Sequence, residues 1–202
     1  MELFNTNEDR LELKLPDANI SYFPHFLKPE FANRAFDDFL DKLEWRQYQL
    51  KIFGKSLPQP RLSALYGIND QAYTTYSNLT LKPLKFTPEL LEIQQKLKDL
   101  SNIEFTHCLA NIYRDGSDSM GWHSDDEKEL GENPVIASVS LGAARRFQLK
   151  HRSDPRLKYQ LELEHGSLLL MAGTTQHFWK HQLPKTKKQL SPRIILTFRS
   201  IF

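Results

Sequence analysis

The sequence is poor in the features that crosslink a chain or carry it across a membrane. It has one cysteine, Cys108, among 202 residues. That excludes a disulfide framework within the chain and fits a reducing compartment. Cys108 lies in the apolar-rich run FTHCLANIY, where a packing role is expected. No run approaches the roughly 18 apolar residues of a membrane span, so no membrane partner is expected. The N-terminus, MELFNTNEDRLELKLPD, has no apolar core of signal-peptide type. A cytoplasmic protein is expected, or a nuclear one if the source has a nucleus. There is no internal repeat and no low-complexity stretch. Net charge is only +2, too small to imply a polyanionic partner by itself. The distribution says more: Lys150, Arg152, Arg156 and Lys158 cluster in one segment, and Lys180, Lys185, Lys187 and Lys188 in another. Such clusters suit solvated loops or a phosphate-facing patch.

What is present is an ordinary globular composition, 40% apolar and 26% charged, with thirteen Phe, seven Tyr and three Trp. The length suits one domain. KPEFANRAFDDFLDKLEW (28–45) predicts an amphipathic helix, with Pro29 in its first turn and Phe31, Ala35, Phe39 and Leu43 at helical spacing. TPELLEIQQKLKDL (87–100) predicts a second, capped by Thr87, with Leu90, Leu91, Leu97 and Leu100 on its apolar side. Between them, KIFGKSLPQPRLSALYG predicts a strand pair and loops. From residue 104 onward, β-type runs follow one another: IEFTHCLANIY, VIASVSL, RRFQLKH, KYQLELE, SLLLMA, QHFWKH and RIILTFRSIF. Many short strands separated by turns predict a sandwich or barrel. The expected fold class is α+β: a jelly-roll core over 104–202, preceded by supporting helices within 1–103, in a single domain.

MGWHSDDEKEL (120–130) places His123 two residues before Asp125 and adds Asp126 and Glu127. Two histidines and one carboxylate form the open facial triad of non-haem Fe(II) oxygenases. Residues two apart on a strand point the same way, so His-x-Asp can supply two ligands from one strand end. The third would come from afar, either His181 or His177. A solvated acidic turn explains the same four residues equally well. SPRIILTFRS weighs against that, since Arg193 and Arg199 share one face of a predicted strand. Two inward guanidiniums are costly without anionic partners, and a dicarboxylate would satisfy both. The bland alternative is an edge strand with both arginines in solvent.

NIYRDGSDSMGWHSDD, VIASVSLGAARRFQLKHR, LEHGSLLLM, HFWKHQLP and PRIILTFR together resemble the AlkB family of Fe(II)/2-oxoglutarate-dependent dioxygenases, which dealkylate nucleic acids. KIFGKSLPQPR and YSNLTLKP are similar to the branch whose animal members repair duplex DNA. The resemblance implies a double-stranded β-helix (jelly-roll) core and a nucleotide-recognition lid in the N-terminal half. It implies iron held by His123, Asp125 and His181, and 2-oxoglutarate held by Asn111, Tyr113, Arg193, Thr197 and Arg199. Arg193 would take the remote carboxylate and Arg199 the one near iron, so removing either arginine is expected to raise the co-substrate requirement with the fold intact. The implied reaction consumes O2 and 2-oxoglutarate, removes N-alkyl lesions such as 1-methyladenine and 3-methylcytosine, and releases succinate, CO2 and an aldehyde. The implied partner is alkylated DNA, duplex before single strand, met by a monomer. A flipped base needs a pocket: Tyr73 and Tyr76 are candidates for its walls, and Asp126 and Glu127 for reading its edge. Phe53 matches an intercalating wedge, or else a core residue of a strand. Lys55 and Arg61 would meet phosphates or the opposite strand. Two other readings stand beside this one: the same chemistry on RNA or protein, and a metal-containing nucleic-acid-binding module without catalysis.

Overall fold

The computed structural model of the chain describes residues 10–52, 54–69, 73–74 and 80–201. Strands β1 (Leu11–Glu12) and β2 (Asn19–Phe23) lead into helix α1 (Pro29–Lys42). The hairpin of β3 (Gln49–Ile52) and β4 (Lys55–Pro58) follows, then β5 (Leu62–Gly67), β6 (Tyr73–Thr74), β7 (Thr80–Leu81), β8 (Leu84–Lys85) and helix α2 (Pro88–Ser101). The second half runs β9 (His107–Tyr113), β10 (Met120–His123), β11 (Ile136–Gly142), β12 (Arg145–His151), β13 (Lys158–Leu163) and β14 (Ser167–Ala172). It closes with the single-turn helix α3 (Thr175–Phe178), β15 (Trp179–Leu183) and β16 (Arg193–Arg199).

Both long helices start where the side chains direct. Pro29 occupies the first turn of α1, where its missing N–H costs nothing. Thr87 caps α2 by accepting the Leu90 N–H, and Asn102 ends it in the left-handed conformation, φ 56°. Helix α1 buries Phe31, Ala32, Ala35 and Phe39, as its spacing predicts. In α2 the buried stripe is Leu90, Ile93 and Leu97. Leu91, expected on that stripe, is 46% exposed, because the residue after Leu90 turns about 100° away from the sheet.

An eight-stranded sheet runs in the order β1-β2-β14-β11-β16-β9-β5-β8, and a four-stranded sheet runs β10-β15-β12-β13. All pairings within them are antiparallel except β5 with β8. Strands β1, β2, β5 and β8 precede residue 104 yet extend the large sheet on both sides. The alternating inward side chains sort into layers. Ile194, Leu196 and Phe198 of β16 face α1 and α2 in one core, with Phe39, Ile93 and Leu97. The opposite face of the large sheet meets the small one: Leu65, Leu109, Ile136, Leu169 and Met171 pack with Phe147, Leu149 and Trp179 in a second core. Two sheets face to face with helices on one outer side is the jelly-roll arrangement the strand pattern predicts.

One stretch departs from its expected form. QHFWKH is not one strand: Thr175–Phe178 makes a helical turn before β15 begins. Thr175 explains the break, since its Oγ1 accepts the Asn19 N–H at 2.9 Å and donates to the Ala172 carbonyl at 2.6 Å. Those bonds fold the chain back onto β2 before it can extend.

Candidate metal centre

His123 ends β10, and its alignment is set by a bulge. Met120 pairs with Leu183 and His123 with His181, so β10 spends three residues where β15 spends two. The extra residue lets Met120 and His123, three apart, both face inward. The His123 Nδ1 donates to the Gly121 carbonyl at 2.9 Å, which leaves Nε2 as the lone-pair nitrogen. His181, directly opposite, lies with its ring centroid 4.2 Å from that of His123 and stacks on Phe147 at 5.3 Å.

Asp125 is not on the strand. β10 stops at His123, and Asp125 sits in the turn beyond it. Strand parity therefore does not aim its carboxylate, contrary to the reading of His-x-Asp as one strand end. Contacts aim it instead. Arg199 Nη2 donates to Oδ1 at 2.5 Å, and His181 Nε2 lies 3.5 Å from Oδ2. The backbone N–H of Asp125 donates to the side-chain oxygen of Gln176 at 3.0 Å.

One nitrogen each from His123 and His181 and one oxygen from Asp125 lie within 4.8 Å of one another. The residues are 9%, 5% and 2% exposed. Burial, opposed in part by Asp125, pushes both imidazole pKa values down, that of His181 to about 3. Burial would raise the Asp125 carboxyl, but Arg199, His181 and His123 outweigh it and hold the pKa below the usual value. Near neutral pH the group is thus two neutral imidazoles and one carboxylate, the protonation state in which each binds a divalent cation. His177, the competing third ligand, is exposed and hydrogen-bonds the Glu132 carbonyl.

Around the triad, both sheets contribute walls. Asn111, Tyr113, Ser138, Met171, Ile195, Thr197 and Arg199 come from the large sheet; Met120, Phe147 and Leu183 come from the small one. Asn111 has a defined orientation. Its Oδ1 accepts from Arg61 Nε at 3.0 Å and from Ser63 Oγ at 2.6 Å, so its NH2 is the donor end. This places Arg61 differently from its expected role. It is 3% exposed and also donates to the Ser119 carbonyl, so it orients Asn111 from the interior and does not meet a phosphate.

Arg193 faces the same side of β16 as Arg199 but stands outside the cavity lining. Its Nη1 donates to the carbonyls of Ala143 and Leu163, and its Nη2 to Ser140 Oγ. Its Nε is buried with no acceptor among the described residues. Burial, chiefly, lowers its pKa to about 10. Such a guanidinium is a structural crosslink as it stands, which the sequence reading missed.

The other expected residues scatter. Asp126 turns outward and pairs with Arg152 at 2.5 Å, while Glu127 keeps both carboxylate oxygens buried. Lys55 is exposed on β4. Tyr73 lies on β6, paired with Leu81. Phe53 and Tyr76 lie outside the described residues. Gln176, Arg152, Phe147 and Met171 were not foreseen at the site. Phe147 and Arg152 lie in VIASVSLGAARRFQLKHR, Met171 in LEHGSLLLM and Gln176 in QHFWKH, and only those whole segments point toward them.

Residues 19–199 match the 2OG-Fe(II) oxygenase superfamily. The chain is 40% identical over 200 residues to the human protein named DNA oxidative demethylase ALKBH2, covering 94% of this chain and 76% of that one. It is 34% identical over 194 residues to the Mus musculus alpha-ketoglutarate-dependent dioxygenase alkB homolog 3, covering 92% and 67%. Among solved structures, OsALKBH1 superposes with a TM-score of 0.66 at 16% identity, over 95% of this chain and 99% of that one, a likeness of fold. With the buried His-Asp-His group between two antiparallel sheets, these matches establish that the chain belongs to the AlkB family of the 2OG-Fe(II) oxygenase superfamily.

Proposed function

We propose that the protein is a DNA repair dioxygenase that removes N-alkyl lesions by direct reversal. The observation that carries the reading is the buried His123–Asp125–His181 group with Arg199 bonded to its carboxylate. Two imidazole nitrogens and one carboxylate oxygen are a donor set that would hold Fe(II) beside the cavity. Fe(II) held there would supply, with O2 and 2-oxoglutarate, the oxidation of an N-alkyl carbon, with succinate, CO2 and an aldehyde as by-products.

The chain's own residues bind and orient. The Asn111 NH2, Tyr113 and Thr197 offer polar groups to a dicarboxylate, and Arg199 a cation beside Asp125. Arg193 is the partner for the remote carboxylate: the acceptor-less Nε supports this, and Tyr113, its register neighbour on β9, lines the cavity. The β3–β4 and β6–β7 pairs stand apart from both main sheets, which supports a nucleotide-recognition lid built from them. Tyr73, Tyr76 and Glu127 complete the base pocket in this reading, and Asp126 joins them only by leaving Arg152.

Product analysis on alkylated oligonucleotides, with and without 2-oxoglutarate, tests the reaction. Co-substrate-dependent restoration of the base is expected. Succinate formation that no alkylated DNA stimulates, but RNA or a peptide does, would move the protein to another substrate class.

Charge supports a nucleic-acid partner. Lys158, Lys150 and Lys180 sit directly opposite one another across β13, β12 and β15. Trp122, 37% exposed, lies beside them with the Lys150 Nζ 4.3 Å from its ring centroid. Like charges opposite each other destabilise a sheet, so a row of three calls for anions. Replacing all three by Gln should reduce the slope of log affinity against log salt by about 2–3, since each phosphate contact contributes nearly one. An unchanged slope removes the row from the interface.

Duplex preference rests on Phe53. If it is a wedge, Phe53→Ala weakens repair of duplex DNA far more than of single strands, which have no paired stack to open. The lost contact is roughly 1–3 kcal/mol, the scale of an aromatic ring on a base. Equal losses on both substrates, with a lowered melt, mark a packing residue instead.

A further inference from the structure

We propose that Gln176 is a positioning residue for the metal site, setting where Asp125 stands relative to His181. This rests on the metal reading above. Gln176 is completely buried, and an amide in that setting is costly unless bonded. Its oxygen accepts a hydrogen bond from the Asp125 N–H at 3.0 Å; among the described residues, its NH2 meets only the Met171 sulfur, at 3.7 Å.

The need for that bond follows from the chain path. Asp125 lies past the end of β10, so its N–H has no place in the sheet ladder, yet the residue is buried. A buried N–H must find an acceptor. The one supplied belongs to the helical turn that runs straight into β15 and His181. That turn is itself anchored, through Thr175, to β2. On the outer side, Arg152 fastens the same two segments by donating to Ser124, Asp126 and the Gln176 carbonyl. Gln176 therefore ties the carboxylate-bearing turn to the element that carries the opposing imidazole. Arg199 aims the carboxylate oxygens, whereas Gln176 places the backbone from which they extend.

The test uses Mn(II) as the metal probe, with free Mn(II) followed by electron paramagnetic resonance, and a thermal melt of the metal-free protein. Gln176→Leu keeps the bulk and removes the acceptor. Its Mn(II) Kd should rise about 10–100-fold, the usual effect of losing a group that orients a ligand. Gln176→Glu keeps an oxygen at the accepting position and should regain most of the affinity. Binding by Gln176→Leu as tight as the parent's would overturn the proposal. So would equal loss of metal in both variants with a matching drop in their melts, which marks a packing role. A parent protein that takes up no Mn(II) would instead defeat the metal reading itself.

Discussion

His123→Ala, Asp125→Ala and His181→Ala should each abolish turnover, while His177→Ala should leave much of it. The first three remove a donor from a group whose atoms lie within 4.8 Å of one another. Losing an orienting contact alone costs about 10–100-fold, so losing a donor should exceed about a thousand-fold. His177 is on the protein surface, bonded to a backbone carbonyl, and its loss exposes nothing buried. Iron content and succinate formation on the four variants decide the matter. An inactive His177→Ala beside an active His181→Ala would reverse the assignment.

The two arginines of β16 should fail in different ways. Arg199→Ala leaves Asp125 buried without its nearest cation, a loss worth about 3–5 kcal/mol when a buried pair is broken. With Arg199 gone, burial pushes the Asp125 carboxyl upward. Metal binding requires the carboxylate, so its onset should move to higher pH than in the parent. In the parent, stability tied to the lowered Asp125 pKa is present above the unfolded value and lost as pH falls through the folded one. Arg193→Ala does something else. It strips donors from Ser140 and the Ala143 and Leu163 carbonyls and opens a hole at a completely buried position. A cost of about 3 kcal/mol lowers the melt of a chain this size by roughly 6–12 °C. Both variants should need more 2-oxoglutarate. Melting curves and co-substrate titrations over pH separate them, and an Arg193→Ala protein that melts with the parent would refute the crosslink.

That contrast also marks how far the sequence could be read. His123, Asp125 and Arg199 were legible because ligand types and spacing survive any local geometry. Asp125 was legible for an incomplete reason: parity assumed a strand that ends two residues earlier. For Arg193 and Arg61 the sequence shows no more than a cation in search of anions; what they hold in the fold is not legible there. Their partners are carbonyls, a hydroxyl and an amide brought together only by pairing of distant strands. Gln176 had no signal of its own, because its role is a single bond to a residue 51 positions away. The helical turn before β15 was hidden by β-prone residues and became necessary only through the Thr175 bonds to β2.

The two histidines of the triad and the arginine strand belong to different sheets. His123 and His181 ride on the small sheet and Arg199 on the large one, and the Arg199–Asp125 pair bridges the two layers. The centre is therefore a joint, and its working dimension is the gap between two slabs. Ser138 and Met171 on one slab and Phe147 on the other line the cavity between them, and Phe147 does so while stacked on His181. Enlarging one of them acts as a shim: it moves the metal-bearing layer away from the arginine layer as a body. Drift in these spacer positions among relatives would retune the enzyme by distance while leaving every reactive group in place.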